Sequence, residues 1–484
     1  MTPKETGSTE RHGETEKTAP PGRARESAPP GVEAVRRGER SSRRCGRTMT
    51  AYEAASDTPA ECACGAGNAD GTGPSGLDSR NFRDAVEGGA GMSSGGPSGE
   101  ALPSFEGCDP ACLGCLAGRL SSAALEERKV ARARRALAPW AERLAPLVTA
   151  PPERQLAYRD RVALAARHDP EAGWRFGMEG TADRRDAHRR AGGSRARPFV
   201  SLMDCPLHSL RVKAVLRLLG DALSAADPGG ALPLAFVVLS GGQATLVLKS
   251  ARDPGDAALG LPRLRDSLAA AGGDGLWLHL HPAAGVRLFA RNGWRLLWGT
   301  PRSRDERGLR HGPTAFAQLL PELHDASLAA AADFLRPEPG DRVADLYCGI
   351  GASLALWRAR GAEALGVETS REALDCAAKN APGITLLRGT CAARLPQIRP
   401  WLEAAPPDRR LVYANPPRSG LEPGLAEGLA ACRPQRMAYL ACSPGTLARD
   451  LRLFEALGFG VARLLPYDFF PRTDAVEVLA LLER

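Results

Sequence analysis

Arg342-Val-Ala-Asp345-Leu-Tyr347-Cys-Gly349-Ile-Gly351 is the stretch whose reading decides the fold. The apolar run up to Tyr347 reads as a buried strand. Gly349 and Gly351 follow, then a helix from Ser353 to Arg360. Glycines at such a turn let a ligand approach the backbone where the helix N-terminus offers free N–H groups. The next strand, Ala364-Leu-Gly-Val367, ends in Glu368. An acidic side chain at the end of the second strand suits a ribose with two free hydroxyls. Strand and helix go on alternating to Arg484, the mark of a doubly wound parallel sheet.

The same stretch narrows the nucleotide. A dinucleotide fold wants a third glycine about three residues on. Leu354 stands there, and Asp345 ahead of the glycines would repel a pyrophosphate. Both points favour S-adenosylmethionine, which has no phosphate and carries a cationic sulfonium.

Two later strand ends carry site-like residues. One is Asn415-Pro-Pro-Arg-Ser-Gly420. The other is Met437-Ala-Tyr-Leu-Ala-Cys442-Ser-Pro-Gly-Thr-Leu-Ala-Arg-Asp-Leu451, where an apolar strand ends at Cys442 and a helix begins past the Pro turn. A free cysteine is often only a small buried residue. At a helix N-terminus its pKa is expected to fall below about 8.5, which favours the thiolate. Farther on, 462–473 is expected to be a loop and Ala475-Val-Glu477-Val-Leu-Ala-Leu-Leu482 the last strand. A carboxylate in so apolar a strand is costly to bury unless paired or protonated, so Glu477 should have a raised pKa and suit a general base. The plain alternative is a surface glutamate on an edge strand. A thiol, a carboxylate and a methyl donor together fit methylation of a pyrimidine at C5. Thiolate attack at C6 makes C5 nucleophilic, and a base then removes the C5 proton.

Upstream, 231–310 reads as β-rich, with a hairpin over Ser240-Gly-Gly-Gln243 and strand candidates at 276–280, 286–290 and 294–298. Cys108-Asp-Pro-Ala-Cys112-Leu-Gly-Cys115 and the distant Cys205-Pro206 resemble iron–sulfur ligation more than a zinc site, whose cysteines come as two close pairs. Unrelated free thiols are the alternative. Residues 1–100 are rich in Gly, Pro, Ser, Glu and Arg and cannot offset their chain entropy. The expected division is a disordered tail (1–100), a cysteine region with small α/β elements (101–210), a β-rich RNA-binding unit (211–312) and a Rossmann-like methyltransferase domain (313–484). A start at Met49 or Met92 would shorten the tail.

The chain has 484 residues, a net charge of +8 and an arginine-rich balance that suits a phosphate-bearing partner, as does a GC-rich genome without one. It has 12 cysteines and is expected to carry no export signal, which argues for thiols used as ligands or catalysts. No run reaches the length of a membrane span. A cytoplasmic monomer is expected.

Four motifs in order, Asp345-Leu-Tyr-Cys-Gly-Ile-Gly351, Asn415-Pro-Pro-Arg-Ser-Gly420, Cys442-Ser-Pro-Gly-Thr-Leu-Ala-Arg-Asp450 and Asp468-Phe-Phe-Pro-Arg-Thr-Asp-Ala-Val-Glu477, resemble the bacterial RNA uracil-5-methyltransferases. The resemblance covers about residues 105–484. It implies Cys442 as nucleophile and Glu477 as base. It implies that Gln318, in Ala315-Phe-Ala-Gln318, joins Asp345, Tyr347, Gly349, Gly351, Glu368 and Asn415 around S-adenosylmethionine. It also implies a [4Fe–4S] cluster on Cys108, Cys112, Cys115 and Cys205, with Cys62 or Cys64 as substitutes for Cys108, as in ribosomal members that lack an N-terminal oligonucleotide-binding barrel. Ser443 after the nucleophile departs from the family's usual Asn or Asp. RNA, 23S rRNA ahead of tRNA, is the expected partner, with Arg-rich stretches at 184–197 and 302–310 as phosphate contacts. The rival readings are a non-catalytic RNA-binding or assembly factor, a cytosine-5 methyltransferase and an adenine-N6 methyltransferase. The last would want an aromatic residue where Arg418 stands.

Overall fold

The computed structural model describes residues 108–109, 111–112, 114–115, 120–179, 198–285 and 287–484. The expected tail, Cys62, Cys64 and the arginines of 184–197 lie outside the described residues.

The first described helix, α1 (Ser122–Ala136), starts at Ser121, whose side chain accepts the Ala124 N–H. Seven strands follow in one sheet: β1 (Arg161–Asp169), β2 (Gly173–Glu179), β3 (Phe199–Ser201), β4 (Leu234–Ser240), β5 (Gln243–Leu248), β6 (Gly275–Leu280) and β7 (Trp294–Gly299). Their order is β3-β2-β1-β4-β5-β6-β7. Helices α2 (Leu210–Ala226) and α3 (Leu261–Ala270) cover one face, burying Leu216, Leu219, Leu264 and Leu268 against Leu246 and Leu278. The division expected at 210/211 does not follow this sheet, because β1 is hydrogen-bonded to β4 across it. Alternating apolar residues such as Val162 and Leu164 give β1 a face that needs the same helices.

The expected strand at 286–290 is absent over 287–290, which run as irregular chain. Their apolar character serves packing instead. Leu288 and Phe289 bury against Val238 and Val247 on the other face of the sheet. His279 Nε2 accepts the Ala290 N–H at 2.9 Å, which holds that turn in place.

A two-strand ribbon, β8 (Ser303–Arg304) and β9 (Arg310–His311), leads to helix α4 (Pro321–Leu335). The strand–helix alternation then runs as expected: β10 (Arg342–Leu346), α5 (Ala352–Ala359), β11 (Glu363–Glu368), α6 (Arg371–Asn380), β12 (Thr385–Arg388), α7 (Leu395–Glu403), β13 (Arg410–Ala414), α8 (Leu425–Ala431), β14 (Arg436–Ala441) and α9 (Pro444–Ala456), ending in β15 (Gly460–Tyr467) and β16 (Glu477–Glu483). The second sheet has the order β12-β11-β10-β13-β14-β16-β15, parallel as far as β14. Strand β16 runs antiparallel between β14 and β15. Successive residues in β10 serve opposite cores. Val343 packs with Leu328 and Trp357 on one face, and Ala344 with Leu402 and Leu429 on the other. A sheet covered on both faces needs such continuously apolar strands.

Residues 462–467, part of the expected loop at 462–473, belong to strand β15. Pro466 is tolerated because β15 is the outermost strand of its sheet. The segment before β1 covers that edge: Ala145 N–H donates to the Leu464 carbonyl at 2.8 Å and Val148 N–H to that of Pro466 at 2.9 Å. Among the described residues no helix is long and apolar enough to cross a membrane.

Candidate active site

The strand order reverses between β10 and β13, and the crevice beyond their carboxyl ends is where open α/β sheets bind ligands. A cleft of about 460 Å³, mouth included, opens there. Phe316, Gln318, Tyr347, Gly349, Ser353 and Asn415 are among its lining residues, joined by Arg307 and His324. Four of the expected cofactor residues, Gln318, Tyr347, Gly349 and Asn415, therefore share one space.

Asp345, Gly351 and Glu368 support that space from behind it. Asp345 is fully buried and its Oδ2 accepts the Trp357 indole N–H at 2.7 Å, which pins α5 to β10. Burial pushes its carboxyl up to about 7, against the hydrogen bonds from Ser353 and Trp357. Gly351 has φ +82°, and a Cβ there would stand 3.0 Å from that of Ala377 on α6. Gly349, at φ +53°, would meet nothing within 4 Å, so its open side faces the cleft. Glu368 Oε2 accepts the Gly349 N–H at 3.2 Å, while Oε1 takes the amides of Thr369 and Ser370.

Three groups at or behind this floor lack partners among the described residues. The Tyr347 hydroxyl, the Gln318 Oε1 and the Asp345 Oδ1 are buried without a hydrogen bond. Such atoms are costly unless a ligand or water completes them. Tyr347 also sits at φ +59°, a strained backbone for an aromatic residue and one found at functional sites. Phosphate-free nucleoside ligands fit this donor set, because none of the cleft's orphan groups is a cation.

Cys442 and Glu477 come together through strand register. β14 and β16 pair Ala441 with Val478, so the next step along each strand sets Cys442 beside Glu477. Glu477 is 3% exposed and its Oε2 accepts from Gln318 Nε2 at 3.3 Å. Burial pushes its carboxyl up to about 7, as the sequence leads one to expect. The Cys442 thiol departs from expectation. It is pushed up to about 11, first by burial and then by the charge of Glu477. The helix N-terminus does not offset these two effects, and what works against them is chiefly Arg418, by charge and hydrogen bond. In the sequence, Arg418 stands out only for not being aromatic.

The departure at Ser443 has a local reason. Its hydroxyl caps α9 by accepting the Thr446 N–H. Thr446 Oγ1 donates to the Arg418 carbonyl at 3.0 Å. Buried Asp450 accepts from the Tyr439 hydroxyl at 2.7 Å and the Leu421 amide at 3.1 Å. The Asn-Pro-Pro-Arg loop, β14 and the helix after Cys442 are thereby held as one piece.

The cysteine cluster is less complete. Burial raises the thiol pKa of Cys112 and of Cys205. Cys115 and Cys108 add to it by charge for Cys112, and Cys115 and Cys112 for Cys205, so the four thiols share one neighbourhood. Among the described residues, however, no three His, Cys, Asp or Glu side chains are set to hold a metal ion. Of the arginines in 302–310, Arg304 and Arg310 are exposed, whereas Arg307 turns into the cleft.

No protein-family model matches the chain. It is 33% identical over 194 residues to an uncharacterized RNA methyltransferase of Oceanobacillus iheyensis, covering 39% of this chain and 42% of that one. It is 33% identical over 176 residues to the 23S rRNA (uracil(1939)-C(5))-methyltransferase RlmD of Shewanella sp. (strain MR-7), covering 35% and 38%. The chain thus spans about two fifths of the length of these curated relatives. In structure it is similar to the tRNA (uracil-54, C5)-methyltransferase of Pyrococcus abyssi in complex with S-adenosyl-L-homocysteine. The TM-score is 0.56 at 18% identity, over 77% of this chain and 86% of that one. The fold is that of the Rossmann-like S-adenosylmethionine-dependent methyltransferases, and part of the sequence is homologous to proteins named as bacterial RNA methyltransferases.

Proposed function

We propose that this protein methylates C5 of a uridine in RNA, in 23S rRNA ahead of tRNA, using S-adenosylmethionine. The observation that carries the proposal is the thiol of Cys442 set beside the buried carboxyl of Glu477, which Gln318 links to the cleft. The methyl donor supplies an electrophilic methyl on a sulfonium. Cys442, as thiolate, adds to C6 of the uracil, and the ring's electron pair moves to give an enolate that is nucleophilic at C5. C5 takes the methyl group. Glu477, ionised, removes the C5 proton, and the C6–S bond breaks to return Cys442 as thiolate. Arg418 favours the thiolate at the start and the end of the cycle. The target base must leave its stack to reach this pocket.

The test is RNA carrying 5-fluorouridine, incubated with the protein and S-adenosylmethionine. Fluorine cannot leave as a proton does, so a covalent adduct through Cys442 is expected in the wild type and none in Cys442→Ala. Absence of an adduct while both ligands bind would remove the mechanism. Nucleoside mass analysis of unmodified RNA treated with the protein is expected to give 5-methyluridine. A product of 5-methylcytidine, of N6-methyladenosine, or none at all would replace the proposal by one of its rivals.

We also propose an iron–sulfur cluster on Cys108, Cys112, Cys115 and Cys205, with a role in holding the N-terminal region rather than in methyl transfer. Its support is the shared neighbourhood of the four thiols. Protein purified without oxygen is expected to contain iron and acid-labile sulfide, both lost in Cys205→Ser.

A further inference from the structure

The α4 side of the cleft holds two residues that no sequence motif singles out. His324 lies in the first turns of α4 and is 8% exposed, with its ring against the cleft. Arg307 lies across from it, and Arg307 Nη1 approaches His324 Nδ1 at 3.2 Å. The rest of that guanidinium is spoken for: Nη2 meets Asp305 Oδ2 at 3.0 Å and Nη1 also meets Asp325 Oδ1 at 2.9 Å.

This contact fixes the proton on the ring. A guanidinium has donors only, so Nδ1 must be the acceptor. A neutral imidazole that accepts at Nδ1 carries its hydrogen on Nε2. Burial, with the charge of Arg307 beside it, lowers the ring's pKa to about 4, so the neutral form holds at physiological pH. His324 Nε2–H has no partner among the described residues and belongs to a cleft-lining ring.

A complementary group belongs to another residue that lines the cleft. Gln318 donates to Glu477 through Nε2, which turns its Oε1 away, and that oxygen is buried without a partner. Besides the Tyr347 hydroxyl, the cleft-lining residues therefore carry one unpaired donor on His324 and one unpaired acceptor on Gln318. An α-amino acid has the matching pair, a carboxylate that accepts and an ammonium that donates. The direction of the ligand agrees. On the reading that Glu368, on the β11 side of β10, takes the ribose, the cleft runs the other way, toward β13 and α4.

We propose that His324, oriented by Arg307, receives the α-carboxylate of the methyl donor's methionine moiety, with Gln318 Oε1 taking its ammonium. This rests on the reading of the cleft as an S-adenosylmethionine site. Arg307 acts as a positioning residue, since it reaches the ligand through the tautomer it imposes.

The experiment is calorimetric binding of S-adenosylhomocysteine and of 5′-methylthioadenosine, which lacks the amino acid, to the full chain. His324→Leu is expected to weaken S-adenosylhomocysteine about tenfold or more, the scale of a lost charge-assisted hydrogen bond, and to leave methylthioadenosine unchanged. His324→Gln, which keeps an N–H donor, should recover part of the loss, and Arg307→Met should show a smaller loss of the same selectivity. Equal weakening of both ligands would mean a structural role only and would overturn the proposal, as would no change in either. If His324→Leu does not fold, the glutamine and Arg307 variants decide the matter by the same ratio. Failure of the wild type to bind S-adenosylhomocysteine would instead remove the reading of the cleft itself.

Discussion

Cys442 and Glu477 make opposed demands on one another. An ionised Glu477 raises the thiol's pKa, and in the proposed mechanism the thiol must lose its proton to attack. With the carboxyl at about 7 and the thiol at about 11, the Cys442–Glu477 pair is neutral near pH 6 and carries one negative charge near pH 8. In the proposed reaction proton removal from C5 needs the carboxylate, so the methylation rate with saturating ligands should rise through about pH 7 and go on rising more gently above it as the thiol ionises. A rate independent of pH across that window would take Glu477 out of the role of base. Stability should move the opposite way. The carboxyl's ordinary value is 4.5 and its folded value lies above that, so the unfolded chain gives up its proton first as pH rises. The stabilisation from keeping Glu477 protonated is complete below about pH 4.5 and is lost as pH passes 7. Glu477→Gln should therefore match the wild type's melting temperature near pH 5 and exceed it near pH 8, while abolishing methylation and retaining S-adenosylhomocysteine. The direction of the Glu477 shift was legible in the sequence, because an acid among Val, Leu and Ala has few places to be but buried. The direction at Cys442 was not, because it depends on a carboxyl 35 positions away that only the β14–β16 register brings near.

At the scale of elements, the loop that leads into β16 is held by the N-terminal helix. Lys129 of α1 is fully buried, pairs with Asp468 and donates to the Phe470 carbonyl at 3.1 Å. The Tyr158 hydroxyl donates to the Pro471 carbonyl at 2.9 Å, and the Ala475 amide to Thr473 Oγ1 at 3.2 Å. Burial lowers the lysine's pKa and raises the aspartate's, so each charge depends on the other. Removing one partner of such a pair leaves a buried charge and costs about 3–5 kcal/mol. Lys129→Met should lose roughly that much stability in denaturant titration. Amide exchange should quicken over 468–475, and the methylation rate should fall with little change in S-adenosylhomocysteine affinity. Adding Asp468→Asn to Lys129→Met should restore much of the stability. No recovery in the double variant would mean that the lysine matters for its packing rather than for its charge. None of this was readable from α1 alone, where Lys129 is one basic residue among several. By contrast, 342–368 was readable because strand, glycine turn, helix and acidic strand end are local signals. β15 was missed because Pro466 argues against a strand, and its acceptance rests on an edge that a segment some three hundred residues earlier covers.

For the whole molecule, the sequence separated a β-rich part from a Rossmann-like part at 312/313, but its boundary at 210/211, between the cysteine region and the β-rich part, falls inside a sheet. Strand pairing between β1 and β4 spans some seventy residues, and no local pattern announces it. The two parts meet along the segment that carries Gln318. Arg161 of β1 donates to the Thr314 carbonyl at 3.1 Å, and Glu372 of α6 accepts the Thr314 and Ala315 amides at 3.0 and 3.2 Å. RNA held by both parts would reach the cleft across this seam, and the charge of the chain bears on how. The net charge is +8, while many arginines are already committed to carboxylates or carbonyls, as Arg307 and Arg161 are. Arg304, whose Nη1 donates to the Gly308 carbonyl at 2.7 Å, and Arg310 both keep exposed side chains on the ribbon just before the Gln318 segment. Each phosphate neutralised releases counterions, so the slope of log affinity against log salt measures how many are neutralised. The double variant Arg304→Ala, Arg310→Ala should flatten that slope by about two for an rRNA fragment, about one for each phosphate that no longer meets a guanidinium. Its affinity should fall alike for RNAs of different sequence, with S-adenosylhomocysteine binding unaffected. An unchanged slope would move the RNA path away from the ribbon. A fall confined to one RNA sequence would make these side chains readers of bases rather than holders of the backbone.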